Sequence, residues 1–471
     1  MSLSEVKEVK KIPPRQEMPM ISPDIRIHSF DEIALGFSEE QALVEASRCL
    51  QCKKPKCMEG CPVGVDIPGF INFIKQKEYQ KALDTIRERN CLPGTCGRVC
   101  PQDELCEKGC IQGKKNQPVA IGCLQRFVAD WALSNGKGYP NISAIVPKGK
   151  KVMIIGSGPA GLAAAKDLAF MGYQVTIMEA LHIAGGVMVY GIPEYRLPNI
   201  IVQQEIDYLK ELGVEIRTNM VVGKTGTVDE LLHEGYDAVF VGAGAGLPWF
   251  MEIPGETLKG VYSSNEFLMR VNLTKRYLPE NDWVPIHIGE KVAIIGGGNV
   301  AMDCARTALR LGAKETNIIY RRSEVEMPAS KEELKQALEE GVKFTWLTSP
   351  IEIRGDENGC VKSIICRRFE LGEPDASGRR RPIPIPGSEH EIEIDTVVMA
   401  IGQGANMLFA KDAPDIQTDR NGNIIVDEAT GQTNKPGVFA GGDIVTGAAT
   451  VVQAINGGRK AAQAINDYLN S

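Results

Sequence analysis

Residues 152–179 read VMIIGSGPAGLAAAKDLAFMGYQVTIME, and their succession of apolar strand, glycine turn, helix and second strand decides the fold. The turn is GSGPAG, with glycines at 156, 158 and 161. Gly156 permits a tight turn, Gly158 lets backbone approach a pyrophosphate, and Gly161 lets the helix pack close to the strand. The N-terminus of that helix offers free N–H groups and partial positive charge to phosphates. Glu179 closes the second strand, 23 residues after Gly156, where a carboxylate can accept hydrogen bonds from ribose hydroxyls. A lone GxGxxG is weak evidence. Strand, loop, helix, strand and terminal acid in register mark a dinucleotide-binding β-α-β unit.

The same grammar returns about 140 residues later in VAIIGGGNVAMDCARTALRLGAKETNIIYRR, so two related nucleotide-binding domains are expected. This second loop, GGGNVA, places Gly296 and Gly298 at the turn and alanine in the third position. Its second strand ends on Tyr320, followed by Arg321 and Arg322 instead of an acid. A carboxylate there would repel a 2′-phosphate, whereas a guanidinium pair can clamp it, so this loop is expected to prefer NADPH over NADH. The alternative is that both arginines are solvated surface charges.

The chain has 471 residues, 43% hydrophobic and 24% charged, enough for several domains with their own cores. A net charge of −7 gives no reason to expect binding to nucleic acid or an anionic membrane surface. The opening MSLSEVKEVKKIPPRQ has lysines without a following apolar run, which is unlike a signal peptide, and no uncharged apolar stretch reaches membrane-spanning length. A cytoplasmic location is expected. Thirteen cysteines in such a compartment are not expected to form disulfides. Ten of them lie between Cys49 and Cys123, which defines a cysteine-rich head. That head reads as helices, such as GFINFIKQKEYQKALDTIRERN, and SNGKGYPNISAIVPKGK reads as the linker that follows it.

Two cysteine groups stand out. Cys49, Cys52, Cys57 and Cys61 have the spacing C-x2-C-x4-C-x3-C-P, and GTCGRVCPQDELCEKGC supplies Cys96, Cys100, Cys106 and Cys110 with a second Cys-Pro. Thiolates in such runs hold iron–sulfur clusters, and the cysteine before proline often serves the other cluster of a pair, so two crossed [4Fe–4S] clusters are expected. Zinc is the alternative metal for C-x2-C pairs. No CxxC occurs after Lys150, and Cys304, Cys360 and Cys366 read as core or incidental thiols.

Near the C-terminus, GVFAGGDIVTGAATVVQAINGGRKAAQAI resembles the segment with which two-dinucleotide flavoproteins of the glutathione-reductase-like superfamily hold the ribityl chain of FAD. The resemblance implies FAD at the first loop and NADPH at the second. It implies an α/β fold: a helical iron–sulfur domain over 1–147, a discontinuous FAD domain over 148–284 and 396–471, and an NADPH domain over 285–395.

Across the whole chain the head, GSGPAGL, YGIPEYRLP, GGGNVAMD, YRRSEVEMPA, AIGQ and AGGD resemble one family. It contains the small subunit of NADPH-dependent glutamate synthase, the N-terminal half of dihydropyrimidine dehydrogenase and the large FAD/NADPH subunit of NADH-dependent ferredoxin:NADP oxidoreductase. The segments IRIHSFDEIALGF and EEQALVEASRCLQCKKPKC are most similar to the last, an electron-bifurcating enzyme. The resemblance implies one cluster on Cys49, Cys52, Cys57 and Cys110, and another on Cys61, Cys100, Cys106 and Gln125. Relatives carry glutamate or glutamine at that last place, the bifurcating enzymes resemble the glutamate version, and Cys123 is a competing ligand. FAD would contact Gly156, Ser157, Gly158, Pro159, Ala160, Gly161, Glu179, Gly186, Val222, Gly242, Gly442, Asp443, Thr450 and Val451. Arg196 would lie near the reactive face of the flavin as a catalytic cation. NADPH would contact Gly296, Gly298, Asn299, Val300, Arg321 and Arg322.

The expected activity is electron transfer between NADP(H), FAD and the clusters, to or from ferredoxin or a smaller NADH-binding FAD/[2Fe–2S] subunit, in a hetero-oligomer. The alternative is a glutamate synthase small subunit serving a separate large subunit. From another class comes a zinc-stapled protein that only senses NADP.

Overall fold

The computed structural model describes residues 12–135, 142–281, 286–406 and 413–471. The lysine-bearing stretch up to Lys11 and residues 136–141 of the expected linker lie outside them. The chain forms two compact units. One takes the described residues up to Met20 and those from Ala34 to 135, and the other takes Ile21–Ile33 and everything described from 142 onward. Residues 21–33, expected with the head, therefore group with the second unit.

The first unit is built of helices Glu39–Ser47, Ile67–Lys75, Tyr79–Arg87, Pro93–Val99 and Ile121–Asn135, with shorter turns between them. Ser38 starts the first with a reciprocal capping box to Gln41, and Asp66 caps the second by accepting from the Gly69 N–H. Ile67, Phe70, Ile71 and Ile74 recur at helical spacing and are all buried, together with Leu83, Ile86, Leu124 and Val128 from the neighbouring helices. Burying side chains of this size contributes about 1.5–3 kcal/mol each.

The second unit holds two five-stranded parallel sheets. The first has the order Val438–Ala440, Ala238–Val241, Lys151–Ile155, Gln174–Met178, Glu215–Arg217. The second has the order Val261–Ser263, Thr396–Met399, Lys291–Ile295, Glu315–Tyr320, Lys343–Trp346. Helix Pro159–Phe170 connects the first pair of strands of one sheet, and helix Asn299–Arg310 the corresponding pair of the other. Central strands such as Val152–Ile155 and Val292–Ile295 are buried throughout, as sheets covered on both faces require. The second sheet reaches across the expected boundaries at 284 and 396. Val261–Ser263 and Thr396–Met399 pair with each other, and Thr396–Met399 pairs with Lys291–Ile295, so hydrogen bonding assigns both flanks to this sheet.

An antiparallel arm of Thr348–Gly355, Val361–Pro374, Arg380–Pro384 and His390–Glu393 follows the last strand of the second sheet. The chain then returns, and Val438–Ala440 completes the first sheet. The terminal helix Val451–Asn470 packs on Pro159–Phe170 at backbone contact: a Cβ on Gly458 would stand 2.0 Å from the Ala160 carbonyl oxygen. Among the described residues no helix is long and apolar enough to cross a membrane.

Candidate dinucleotide and iron–sulfur sites

The first glycine loop is shaped by close backbone contacts. Gly156 has φ +97°, and a Cβ there would meet the Gly242 carbonyl oxygen at 2.6 Å. A Cβ on Gly161 would meet the Gly156 carbonyl at 2.0 Å, whereas one on Gly158 would meet nothing within 4 Å. Gly158 thus fronts open space at the start of helix Pro159–Phe170, as a bound pyrophosphate requires. Gly186 packs on Gly158 and Gly442 on Ala160, each at 2.8 Å for an added Cβ. Buried Glu179 accepts from the Ser157 N–H at 3.0 Å, the Ser157 hydroxyl at 2.5 Å and the Leu181 N–H at 2.8 Å. Its oxygens retain lone pairs for a ribose. Asp443 starts the turn Asp443–Thr446 after Gly442; burial pushes its carboxyl up to about 6, against a bond from the Ala449 N–H.

Thr450 caps the terminal helix with a reciprocal box to Gln453, and Val451 is its first residue. Val222 lies in the core cluster beside the first sheet, with Val241 and Ile155. The loop residues, Glu179, Gly186, Gly242 and Gly442 are therefore brought together. Tyr190, which sequence reasoning missed, belongs with them. Burial and the carboxylates of Asp443 and Glu179 push its phenol up to about 12. Its place beside Gly191 at the head of YGIPEYRLP was the available signal.

The second loop repeats the geometry. Gly296 has φ +140° with the Ala400 carbonyl 2.1 Å from an added Cβ, and Gly298 again faces open space. Asn299 and Val300 open helix Asn299–Arg310, and the Asn299 side chain accepts from the Ser330 N–H at 2.9 Å. Tyr320 stacks over the loop, its ring 2.8 Å from a Cβ on Gly297. Arg321 is exposed. Arg322 is buried, donating from Nε to the Arg380 carbonyl and from Nη2 to Asp375, both at 2.8 Å. Arg322 thus spends these donors on protein partners, whereas Arg321 is exposed.

Arg196 is also committed to protein partners. Its Nη1 donates to both oxygens of Asp303, at 2.8 and 2.6 Å, and its Nε pairs with Glu333 at 2.9 Å. Burial pushes the Asp303 carboxyl up against the pull of Arg196. The guanidinium thus joins YGIPEYRLP to the helix that follows the second glycine loop, its charge offset by two carboxylates. Tyr195 supports the joint, its hydroxyl donating to the Asp303 carbonyl at 3.2 Å.

In the head, two glycines interleave the cysteine groups. A Cβ on Gly109 would meet the Lys56 carbonyl oxygen at 2.5 Å and the Cys57 nitrogen at 3.2 Å, so Cys110 is drawn to the first group. A Cβ on Gly60 would meet the Leu105 carbonyl at 2.5 Å and the Cys106 Cα at 3.4 Å, so Cys61 is drawn to the second. Cys49, Cys52, Cys57 and Cys110 line one cavity, walled by Leu50, Ile67, Ile71 and Ile121. Burial, then the neighbouring Cys110 and Cys49 thiols, push Cys57 up to about 12. Four sulfurs around an apolar cavity fit a cluster held by thiolates. Cys106 faces Cys61. Cys100 ends helix Pro93–Val99, and Gln125 donates its amide to the Pro93 carbonyl at 3.0 Å. Cys123 lies beside Glu107 and Arg15. Among the described residues no three His, Cys, Asp or Glu side chains close in as a single metal ion requires.

Sequence reasoning also missed the ionic frame of these loops. Arg48, immediately before Cys49, pairs with buried Glu45 at 2.5 Å and donates to the carbonyls of Gln117 and Pro118. The helical spacing of Glu45 and Arg48 in EASRC was visible, but their burial was not.

Two dinucleotide loops on tandem parallel sheets, with a cysteine-lined head before them, define a pyridine-nucleotide flavoprotein reductase that carries iron–sulfur clusters. Residues 26–137 match the family described as dihydropyrimidine dehydrogenase domain II, 4Fe-4S cluster, which assigns the head to clusters and not to zinc. Residues 150–458 match pyridine nucleotide-disulphide oxidoreductase. The chain is 38% identical to the glutamate synthase [NADPH] small chain of Escherichia coli over 463 residues, covering 97% of each. It is 44% identical over 435 residues to the NADP(+)-dependent formate dehydrogenase subunit beta of Moorella thermoacetica, covering 88% of this chain but only 60% of that one. Mycobacterium tuberculosis FprA in complex with NADPH shares the fold, with a TM-score of 0.58 at 22% identity over 69% of this chain and 85% of that one. This chain belongs to the pyridine nucleotide-disulphide oxidoreductase family, and the glutamate synthase small chain is among its relatives. It is an NADP-dependent oxidoreductase of FAD and [4Fe–4S] clusters.

Proposed function

We propose that this chain is the NADP(H)-handling subunit of a hetero-oligomeric electron-transfer enzyme, working with ferredoxin or with a smaller NADH-binding FAD/[2Fe–2S] chain. When bound, FAD exchanges a hydride with the nicotinamide and single electrons with the clusters, which gives this chain the two-electron to one-electron conversion. The observation that carries the reading is the interleaving of the cysteine groups at Gly60 and Gly109, in a chain that also bears two open glycine loops. The relatives named as subunits support a hetero-oligomer.

The residues have separable tasks. Gly156, Gly158 and Gly161 fix the backbone N–H groups that receive the FAD pyrophosphate, and Glu179 takes the ribose. Gly442 and Asp443 approach from the returning C-terminal segment to the ribityl side. Gly296 and Gly298 receive the NADPH pyrophosphate. Arg196, through Asp303 and Glu333, keeps the flavin-side segment in register with the helix that begins at the second loop. Hydride transfer depends on such positioning more than on acid–base chemistry.

A second reading, the small subunit of glutamate synthase, is favoured by the end-to-end match to the Escherichia coli chain. Isolation of the untagged native complex without air separates the two. A ferredoxin-reducing preparation with a small FAD/[2Fe–2S] chain supports the first, and with NADH present a coupled reduction of ferredoxin supports bifurcation. A large glutamate synthase chain supports the second. NADPH that fails to bleach the flavin band of iron-replete protein refutes both.

A further inference from the structure

The end of strand Glu315–Tyr320 is where an adenosine ribose lies in a fold of this kind, so the groups gathered there decide whether a 2′-phosphate is accepted. The structure surrounds this point with three pieces. Exposed Arg321 follows the strand. The segment after it folds back over the glycine loop: the Ala329 N–H donates to the Gly297 carbonyl at 3.2 Å, and Met327 stands 3.1 Å from a Cβ on Gly297. The third piece is the antiparallel arm, where strands Val361–Pro374 and Arg380–Pro384 are joined through Asp375.

Arg322 ties the arm to the strand end, through the Arg380 carbonyl and the Asp375 carboxylate. This places the Arg380 side chain, 48% exposed, against Glu326, Nε to Oε1 at 2.6 Å. Glu326 is fixed in turn, since Tyr320 donates to its carbonyl at 3.1 Å and Ser323 donates to its carboxylate. One donor of the Arg380 fork is thereby used to orient it, and an exposed guanidinium keeps donors for an incoming anion.

We propose that Arg380 and Arg321 form the 2′-phosphate clamp, and that Arg322 is a positioning residue that fastens the arm bearing Arg380. The assignment rests on the reading of the second loop as the NADPH site. It moves nucleotide specificity onto an arm some 60 residues beyond the fingerprint (Arg380 against Arg321), which inspection of the loop alone does not reach.

The test uses the full-length protein with its cofactors and two probes, 2′,5′-ADP and 5′-AMP, with binding measured by calorimetry. Wild-type protein binds 2′,5′-ADP more tightly. Arg380→Gln and Arg321→Gln each weaken 2′,5′-ADP about tenfold or more, the scale of a lost charge-assisted hydrogen bond, and leave 5′-AMP within about twofold. Asp375→Asn, which touches no phosphate, weakens the same probe by a smaller factor. Unchanged 5′-AMP binding shows that each variant is folded. If Arg321→Gln loses the preference and Arg380→Gln keeps it, the role of Arg380 is refuted while the NADPH site stands. If wild-type protein does not distinguish the probes, the NADPH reading itself fails.

Discussion

Replacing Glu340 by glutamine removes the centre of a buried ionic network. Four guanidiniums, of Arg26, Arg196, Arg306 and Arg310, meet four carboxylates, of Asp303, Glu333, Glu339 and Glu340. Glu340 accepts from Arg26 Nε at 2.7 Å, from Arg306 at 3.0 and 2.9 Å and from Arg310 at 2.7 and 3.2 Å. The side chains of Arg306, Arg310 and Glu340 are fully buried, and that of Arg26 is 2% exposed. Glutamine keeps the shape but leaves one uncompensated buried cation. Removing one partner of such a pair costs about 3–5 kcal/mol. The carboxyl itself gives a similar figure. Against the cost of burial, bonds and attraction from Arg310 and Arg306 hold it at about 2, below an ordinary 4.5, and that difference corresponds to roughly 3 kcal/mol. The sign is that of a depressed acid: the stabilisation is complete above about pH 4.5 and is lost as pH falls toward 2. At neutral pH, Glu340→Gln is expected to lower the stability of the cofactor-loaded protein by about 3 kcal/mol, a melting shift of roughly 5–10 °C. Glu339→Gln is the control, because its side chain is 38% exposed and pairs with Arg26 at the margin of the network, so it loses under about 1 kcal/mol. Denaturant titrations that place both variants within 1 kcal/mol of wild type would refute the reasoning.

Four further outcomes are expected. Cys57→Ala halves iron and acid-labile sulfide in anaerobically purified protein while flavin content is kept, and Gly109→Ala does the same, because its Cβ would press on the Lys56 carbonyl at 2.5 Å. Gln125→Ala alters one of the two reduced-cluster signals in electron paramagnetic resonance, and Cys123→Ala alters neither; the reverse result would transfer the ligand to Cys123. Gly156→Ala purifies without flavin, since both its φ of +97° and the Gly242 carbonyl at 2.6 Å exclude a methyl group; a yellow variant would contradict this. Burial raises Asp443 to about 6, so flavin-free protein should lose stability as pH rises through about 4 to 6, and Asp443→Asn should flatten that dependence in urea midpoints.

The two fingerprints were legible because each compresses strand, turn, helix and acid into fewer than 30 residues, where local sterics dictate the backbone. Cysteine spacing was legible for the same reason. Arg196 and Arg322 were legible as charges but not in their partners. Asp303 and Glu333 lie more than 100 residues from Arg196, and Asp375 lies 53 from Arg322, so neither pairing leaves a periodic trace. The short strands Val261–Ser263 and Thr396–Met399, near the expected edges at 284 and 396, are recognisable only by the neighbours they pair with.

By itself, then, the sequence determined that two dinucleotide loops and a thiolate-rich head share one chain, since glycine and cysteine impose their chemistry locally. Only the tertiary structure decided which cysteines face one another, which arginines stay open to an anion and which are consumed by buried carboxylates. Those outcomes depend on contacts between distant segments, whose free energy comes from desolvation and close packing and has no counterpart in the order of residues.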